Sequence, residues 1–356
     1  MKKLNYIILS LLMCGCQMET QMQTDESPIV RTKVTDLQFS QSDKINLESL
    51  GIVGAYKIIK KDQLYVILTP QSSHRICIYN SATGEVTRLI PAGTAEGEGL
   101  YYLSMTLNGT TVSTFDVGTG KLAEIDLTQY ALPGYQPVFT SLKAGNKTPS
   151  GALRLGERLI STGIYTQGRY CSTSQATGSD TYSVSYPACA DPTLTDTLKS
   201  VLFANNYLML KPSLTRLACA NIENGCLDIC EIQEDKLVRV NEVHLTNPRV
   251  AFNRTRPQGR GMVHPVTYRK DNALGFCDLT VSDQYIFALY SGRTYKQHKN
   301  NIDKGQTIIV FDWNGSHVRT YHLDRPCSSI SYDADENVIY ALANEKGKRE
   351  IIQLNL

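Results

Sequence analysis

From Leu37 onward the chain alternates short apolar runs with polar turns, and no stretch holds a 3.6-residue apolar period over three helical turns. Runs such as "GAYKIIKKDQLYVIL", "HRICIYN", "TTVSTFDV", "NYLMLKPS" and "QYIFALYS" are rich in Val, Ile, Tyr and Phe. Turn residues follow each within a few positions, so each reads as a strand. The pattern predicts a nearly all-β fold.

Two units recur along this pattern. "CIYNSATGEVTRL" (77–89), "STFDVGTGKLAEI" (113–125) and "IVFDWNGSHVRTY" (309–321) share an aromatic, then Asn or Asp, then a glycine-bearing turn. Asn80, Asp116 and Asp312 can cap these turns through their side chains, and glycine supplies positive φ. The second unit, a polar turn entering an apolar strand, appears in "KDQLYVIL", "GERLISTG", "ANNYLMLK", "SDQYIFAL" and "DENVIYAL". The two alternate about every 40 to 50 residues, the period of propeller blades. Six blades fit the length best, with seven as the alternative. Cycles begin near Tyr56, Leu100, Leu153, Val201, Gly275 and Cys327. The last runs out at Leu356 after two strands' worth of chain, so "TDLQFSQSDKINL" near the start is expected to supply closing strands. Such closure removes an open sheet edge.

The N-terminus differs. Lys2 and Lys3 precede an apolar run from Leu4 to Met13. Ten residues rise about 15 Å as a helix, half of what a bilayer core needs, so this reads as a secretory signal. Gly15 directly before Cys16 resembles the bacterial lipobox, although Met13 stands where that pattern prefers Leu. The resemblance implies cleavage before Cys16 and lipidation of its thiol. The expected layout is a signal at 1–15, a lipidated cysteine and flexible tether at 16–36, and a propeller domain at 37–356. The expected location is the cell envelope, with outer-membrane attachment through the lipid. Losing Lys2 and Lys3 with no acid takes the formal charge of +2 to neutral. A neutral chain argues against non-specific binding to nucleic acid or to an anionic membrane.

The run "QYIFALYSGRTY…GQTIIVFDWNGSHVRTYHLD…ISYDADENVIYALAN" resembles the last blades of the TolB-like six-bladed propeller lipoproteins of Bacteroidetes. The likeness is specific in 284–343 and covers 50–356 in outline. It implies a fold and an envelope location, not a reaction.

No catalytic motif stands out: no H-E-x-x-H, no nucleophile elbow and no paired-carboxylate motif. The sialidase turn S-x-D-x-G-x-T-W is absent, and the single tryptophan, Trp313, falls in a repeat turn. No cofactor is implied; calcium stays open, because lactonase propellers scatter their ligands across blades. In "RLACANIENGCLDIC" (216–230), a two-residue Asn224-Gly225 turn would set Cys219 opposite Cys230. A disulfide there competes with buried free thiols, and zinc is disfavoured by the spacing. Cys171 and Cys189 flank a Ser/Thr-rich segment that a second disulfide could bridge.

The best binding candidate is "NPRVAFNRTRPQGRGMVHPVTYRK" (247–270), with Arg249, Arg254, Arg256, Arg260, Arg269 and Lys270 and no acid. It is long for a connection between blades, and arginine forks suit carboxylate, sulfate or phosphate. The expected function is a non-catalytic envelope module that binds a protein or small anionic ligand. The alternative is an envelope hydrolase, lyase or lactonase with a site assembled across several blades. Acids and histidines clustered at the channel mouth would mark the enzyme; backbone, tyrosines and arginines would mark the binder.

Overall fold

The computed structural model describes residues 26–39, 44–142, 148–189, 191–252, 266–345 and 347–356. The fold is a six-bladed propeller. Blade one is the antiparallel meander Lys57–Lys61, Leu64–Leu68, His74–Asn80 and Val86–Pro91. Blades two to five begin with the innermost strands Tyr102–Asn108, Thr148–Leu155, Asn206–Leu210 and Phe276–Val281. The expected cycle starts lie a few residues from these.

Blades five and six share one chain path. The strand His317–Asp333 begins as the outermost of the blade-five meander, paired with Gly305–Asp312, and ends as the innermost strand of blade six, paired with Val338–Glu345. Blade six then takes Lys348–Asn355, and its fourth strand is Ile45–Asn46 from the other end of the chain. The expected closure by "TDLQFSQSDKINL" is therefore present. Val34–Leu37 adds a fifth, parallel strand to blade five through Val34↔Thr320 and Leu37↔Leu323. The segment from Ser27, which the sequence assigns to tether as far as residue 36, is docked: Ser27 N–H donates to Leu245 O at 2.8 Å.

The turn chemistry is as the recurring residues predict. Asn80 Oδ1 accepts from the N–H of Ala82, Asp116 Oδ1 from Gly118 and Asp312 Oδ1 from Asn314, at 2.8 to 2.9 Å. The turns are not equivalent, however. Those at Asn80 and Asp312 join third to fourth strands, whereas that at Asp116 joins second to third. The shared motif marks hairpins rather than one place in each blade.

One register differs from expectation. Cys219 pairs with Asp228, and Cys230 with Leu217. Asn221 Oδ1 accepts from the N–H groups of Glu223 and Asn224, at 3.1 and 2.9 Å. This widens the turn beyond the Asn224-Gly225 pair, which moves the partner strand by two residues. All eight described cysteines are free thiols, including Cys171, Cys189, Cys219 and Cys230.

Blade faces bury apolar side chains against their neighbours. Ile58, Ile67 and Tyr65 of blade one, for example, pack with Tyr340, Leu342 and Ile351 of blade six. Between blades three and four an ion pair is set into the apolar contact that Leu153 and Ile160 make with Leu208 and Leu217. Arg169 and Asp228 are both fully buried, with Nε 2.9 Å from Oδ2. Arg239 Nε meets Asp228 Oδ1 at 2.7 Å, and the Tyr170 hydroxyl donates to Oδ2 at 2.9 Å. A buried pair repays its desolvation only when fully hydrogen-bonded, and losing one member strands the other. Asp228→Ala should therefore cost about 3–5 kcal/mol of stability in urea unfolding; a loss under 1 kcal/mol would show that Arg169 finds another counter-charge.

Candidate functional site

The six innermost strands run parallel, so the propeller has two distinct ends. At the lower end each innermost strand turns into the second strand of its blade. At the upper end second strands turn into third strands, and each blade passes to the next.

A cavity of about 370 Å³ occupies the lower part of the central channel. Its walls come from the innermost strands of blades one, two, four, five and six. No described residue of blade three lines it, because the innermost strands of blades two and four meet in front of that blade. Met105, Leu107, Met209 and Ile330 give it apolar patches.

The charged lining is four lysines (57, 60, 61 and 211) and four aspartates (62, 278, 333 and 335). Lys57 is almost wholly buried and reaches across the channel. Its Nζ lies 3.5 Å from Asp278 Oδ1, donates to Ser328 O at 3.1 Å and to Cys277 O, and sits 4.3 Å from the centre of the Tyr207 ring. One ammonium from blade one thus touches blades four, five and six. Asp278 in turn accepts from Ser329 Oγ and from Ile330 N–H, the latter at 3.0 Å. Ser329 and Ser331 accept from the N–H groups of Ile58 and Lys60, at 3.0 and 2.9 Å. These bonds join blades five, six and one directly. Lys60 lies 3.7 Å from Asp333 and faces the rings of Tyr65 and Tyr340.

At the rim Lys61 pairs with Asp62 at 3.2 Å. Lys211 lies 6.0 Å from the Trp313 ring and, among the described residues, has no carboxylate partner. Asp335, on the blade-six side, is exposed and has no cation partner among the described residues. Among the described residues the mouth therefore offers one free cation and one free anion, on different blades. No histidine among the described residues lines the cavity. Among the described residues no three His, Cys, Asp or Glu side chains come together as a metal site. Trp313 is nearly buried, its Nε1–H bonded to Ser282 O, so it offers no stacking face for a sugar.

The basic segment at 247–270 lies elsewhere. Val250–Phe252 and Val266–Tyr268 form a hairpin stem in the connection from blade four to blade five, at the upper end. Asn272 pins its base by bonding the N–H and the carbonyl of Arg249. Arg269 pairs with Asp271 at 3.1 Å, and Lys270 faces the Tyr295 ring. Arg254, Arg256 and Arg260 lie outside the described residues, as does Cys16. The structure thus separates the basic stem from the cavity, at opposite ends. Sequence reading missed the cavity. Its signal was Lys57 and Lys60 inside the apolar strand "YKIIKK", since charged side chains are rarely buried without partners.

Glu223 lies in an upper turn of blade four. Its Oε1 accepts from Asn205 Nδ2 at 2.6 Å, while Oε2 is shielded from solvent without a partner among the described residues. Burial pushes this carboxyl up to about 7, against the opposing bond from Asn205. A carboxyl raised in the folded state is stabilised when protonated, so its contribution is full below the ordinary 4.5 and is lost as pH rises to about 7. Stability should fall across that window, and Glu223→Gln should flatten the fall; an identical slope in the variant would place the titration on another group.

A profile of the TolB-like 6-blade propeller-like family matches residues 182–335. No curated protein matches the chain. Among solved structures, a Bacteroides fragilis protein described as exported aligns with 90% of this chain and 98% of its own at 9% identity and a TM-score of 0.49. U3-55K aligns with 89% of this chain and 100% of its own at 9% identity and 0.49. The β-propeller domain of Cps50 (Swd1) from Myceliophteria thermophila aligns with 88% and 98% at 11% identity and 0.46. Among the described residues no helix is long and apolar enough to cross a membrane.

Proposed function

We propose that this is an exported lipoprotein, anchored in the envelope through Cys16, whose propeller is a non-catalytic binding module with its ligand seat at the lower channel mouth. The arrangement of charge there carries the reading. Lys57, Lys60, Asp278 and Asp333 are spent on one another, so none is a free base or nucleophile. Lys211 and Asp335 remain, with apolar wall between blades. A cavity of that size takes a small molecule rather than a folded partner. The fitting class is a small zwitterion, such as an amino acid or short peptide. Its carboxylate would meet Lys211, its ammonium Asp335 and its apolar part Met105 and Met209. This narrows the expected anionic ligand, since the cavity lining is charge-balanced and the basic segment is at the other end.

A ligand that binds only the folded state raises the thermal midpoint, by about 2.7 kcal/mol of stability at a hundred times its Kd. Purified protein should respond to amino acids or short peptides, and the response should vanish in Lys211→Ala and in Asp335→Ala. Both side chains are on the rim, so the ligand-free midpoints should hold. A response to calcium alone, or chemical turnover of any compound offered, would put the enzyme alternative in place of the binder. No response to any zwitterion would remove the small-ligand seat.

A further inference from the structure

The upper end carries a surface that the channel mouth does not use. Two insertions meet there: the connection from blade four to five, with the hairpin stem, and the segment 291–304 between the second and third strands of blade five. Lys296 N–H donates to Lys270 O at 2.8 Å, and the Lys270 ammonium lies 5.9 Å from the Tyr295 ring, so the insertions form one surface. It presents Lys270, Arg293, Lys296, Lys299 and Lys304. Arg293 and Lys304 are held by Asn301, Lys304 through Oδ1 at 2.9 Å, and so keep their charge unneutralised. Lys296 and Lys299 are exposed with no carboxylate partner among the described residues. Of the acids on these stretches, Asp271 is taken by Arg269 and only Asp303 is left. Tyr295, 47% exposed, adds an amphipathic ring at the centre.

The chain's own entry point selects the partner. Ser27 docks on Leu245 at the start of the same blade-four connection, and Glu26 lies against Gly292 in the other insertion. Nine residues, ten Cα steps, lie between Cys16 and Glu26, and a chain of that length spans at most about 35 Å. An acyl group on Cys16 therefore keeps the upper end, where the chain enters the propeller, within that distance of the bilayer. Tethering at such range makes weak contacts effective. Cations near an anionic bilayer are each drawn to it over about a Debye length.

We infer that the surface formed by Lys270, Arg293, Lys296, Lys299 and Lys304 docks on the anionic phosphates of the membrane that holds the lipid, leaving the channel mouth pointing away from the bilayer. This rests on the lipid-anchor reading above, and one experiment separates the two. The processed protein is placed in vesicles of phosphatidylglycerol or of phosphatidylcholine, and its lysines are acylated and read by mass spectrometry. The Cys16 peptide in the same spectra shows whether the thiol carries lipid. Lys270, Lys296 and Lys299 should label about tenfold more slowly on phosphatidylglycerol, while Lys236 at the lower end labels equally on both. The protection should disappear in 1 M salt. In Lys296→Glu/Lys299→Glu, Lys270 should label on phosphatidylglycerol as fast as on phosphatidylcholine, with an unchanged thermal midpoint. Equal labelling on the two lipids, or protection that survives the double variant, would overturn the docking surface. An unmodified Cys16 would overturn the anchor alone.

Discussion

The ammonium of Lys57 is the point on which this propeller turns. A ring of blades has no centre of its own; its innermost strands expose one backbone edge to a channel that would otherwise fill with water. Here a single cation from blade one crosses that channel to a carboxylate and a carbonyl of blade five, a carbonyl of blade six and an aromatic face of blade four. Burying it is tolerable only because each of those partners is present. Asp278 then passes the constraint on through Ser329 and Ile330. Two kinds of closure therefore coincide: the outer one, where Ile45–Asn46 completes blade six, and this inner one, where blades five, six and one are hydrogen-bonded around the axis.

That strut also divides the molecule chemically. Below it lie a charge-balanced cavity and two rim charges unpaired among the described residues; around the opposite end lie insertions with a clear excess of cations. The N-terminal chain reaches the propeller at the basic end. The proposed anchor there and the proposed ligand seat at the far mouth make compatible demands on one propeller, because neither surface borrows residues from the other.

Much of this was legible in the chain itself. Blade number followed from the period of about 40 to 50 residues and the chain length, and the hairpins themselves from Asn80, Asp116 and Asp312, which cap turns by a local bond that needs no tertiary context. Phase was harder to read, because hairpins recur at more than one place in a blade and the same residues suit each. The Cys219 register failed for a related reason: Asn221, three residues before Asn224, captured the turn with its own side chain. The cavity was not legible. Lys57 and Asp278 are far apart in sequence, and nothing local says that a lysine in an apolar strand will meet an aspartate four blades on. Of the upper basic surface only Lys270 was visible; Arg293, Lys296, Lys299 and Lys304 became part of it only when the fold set two insertions side by side.

The strut is best tested by a double-mutant cycle on Lys57 and Asp278 in urea unfolding. With Lys57→Met, Asp278→Asn and the pair together, each single change should cost about 3–5 kcal/mol, because it leaves a buried charge behind. The double variant should lose less than the sum by at least about 1 kcal/mol, since it removes both charges at once. Additive losses would contradict the account, and would mean that the two charges are solvated separately rather than joined across the channel.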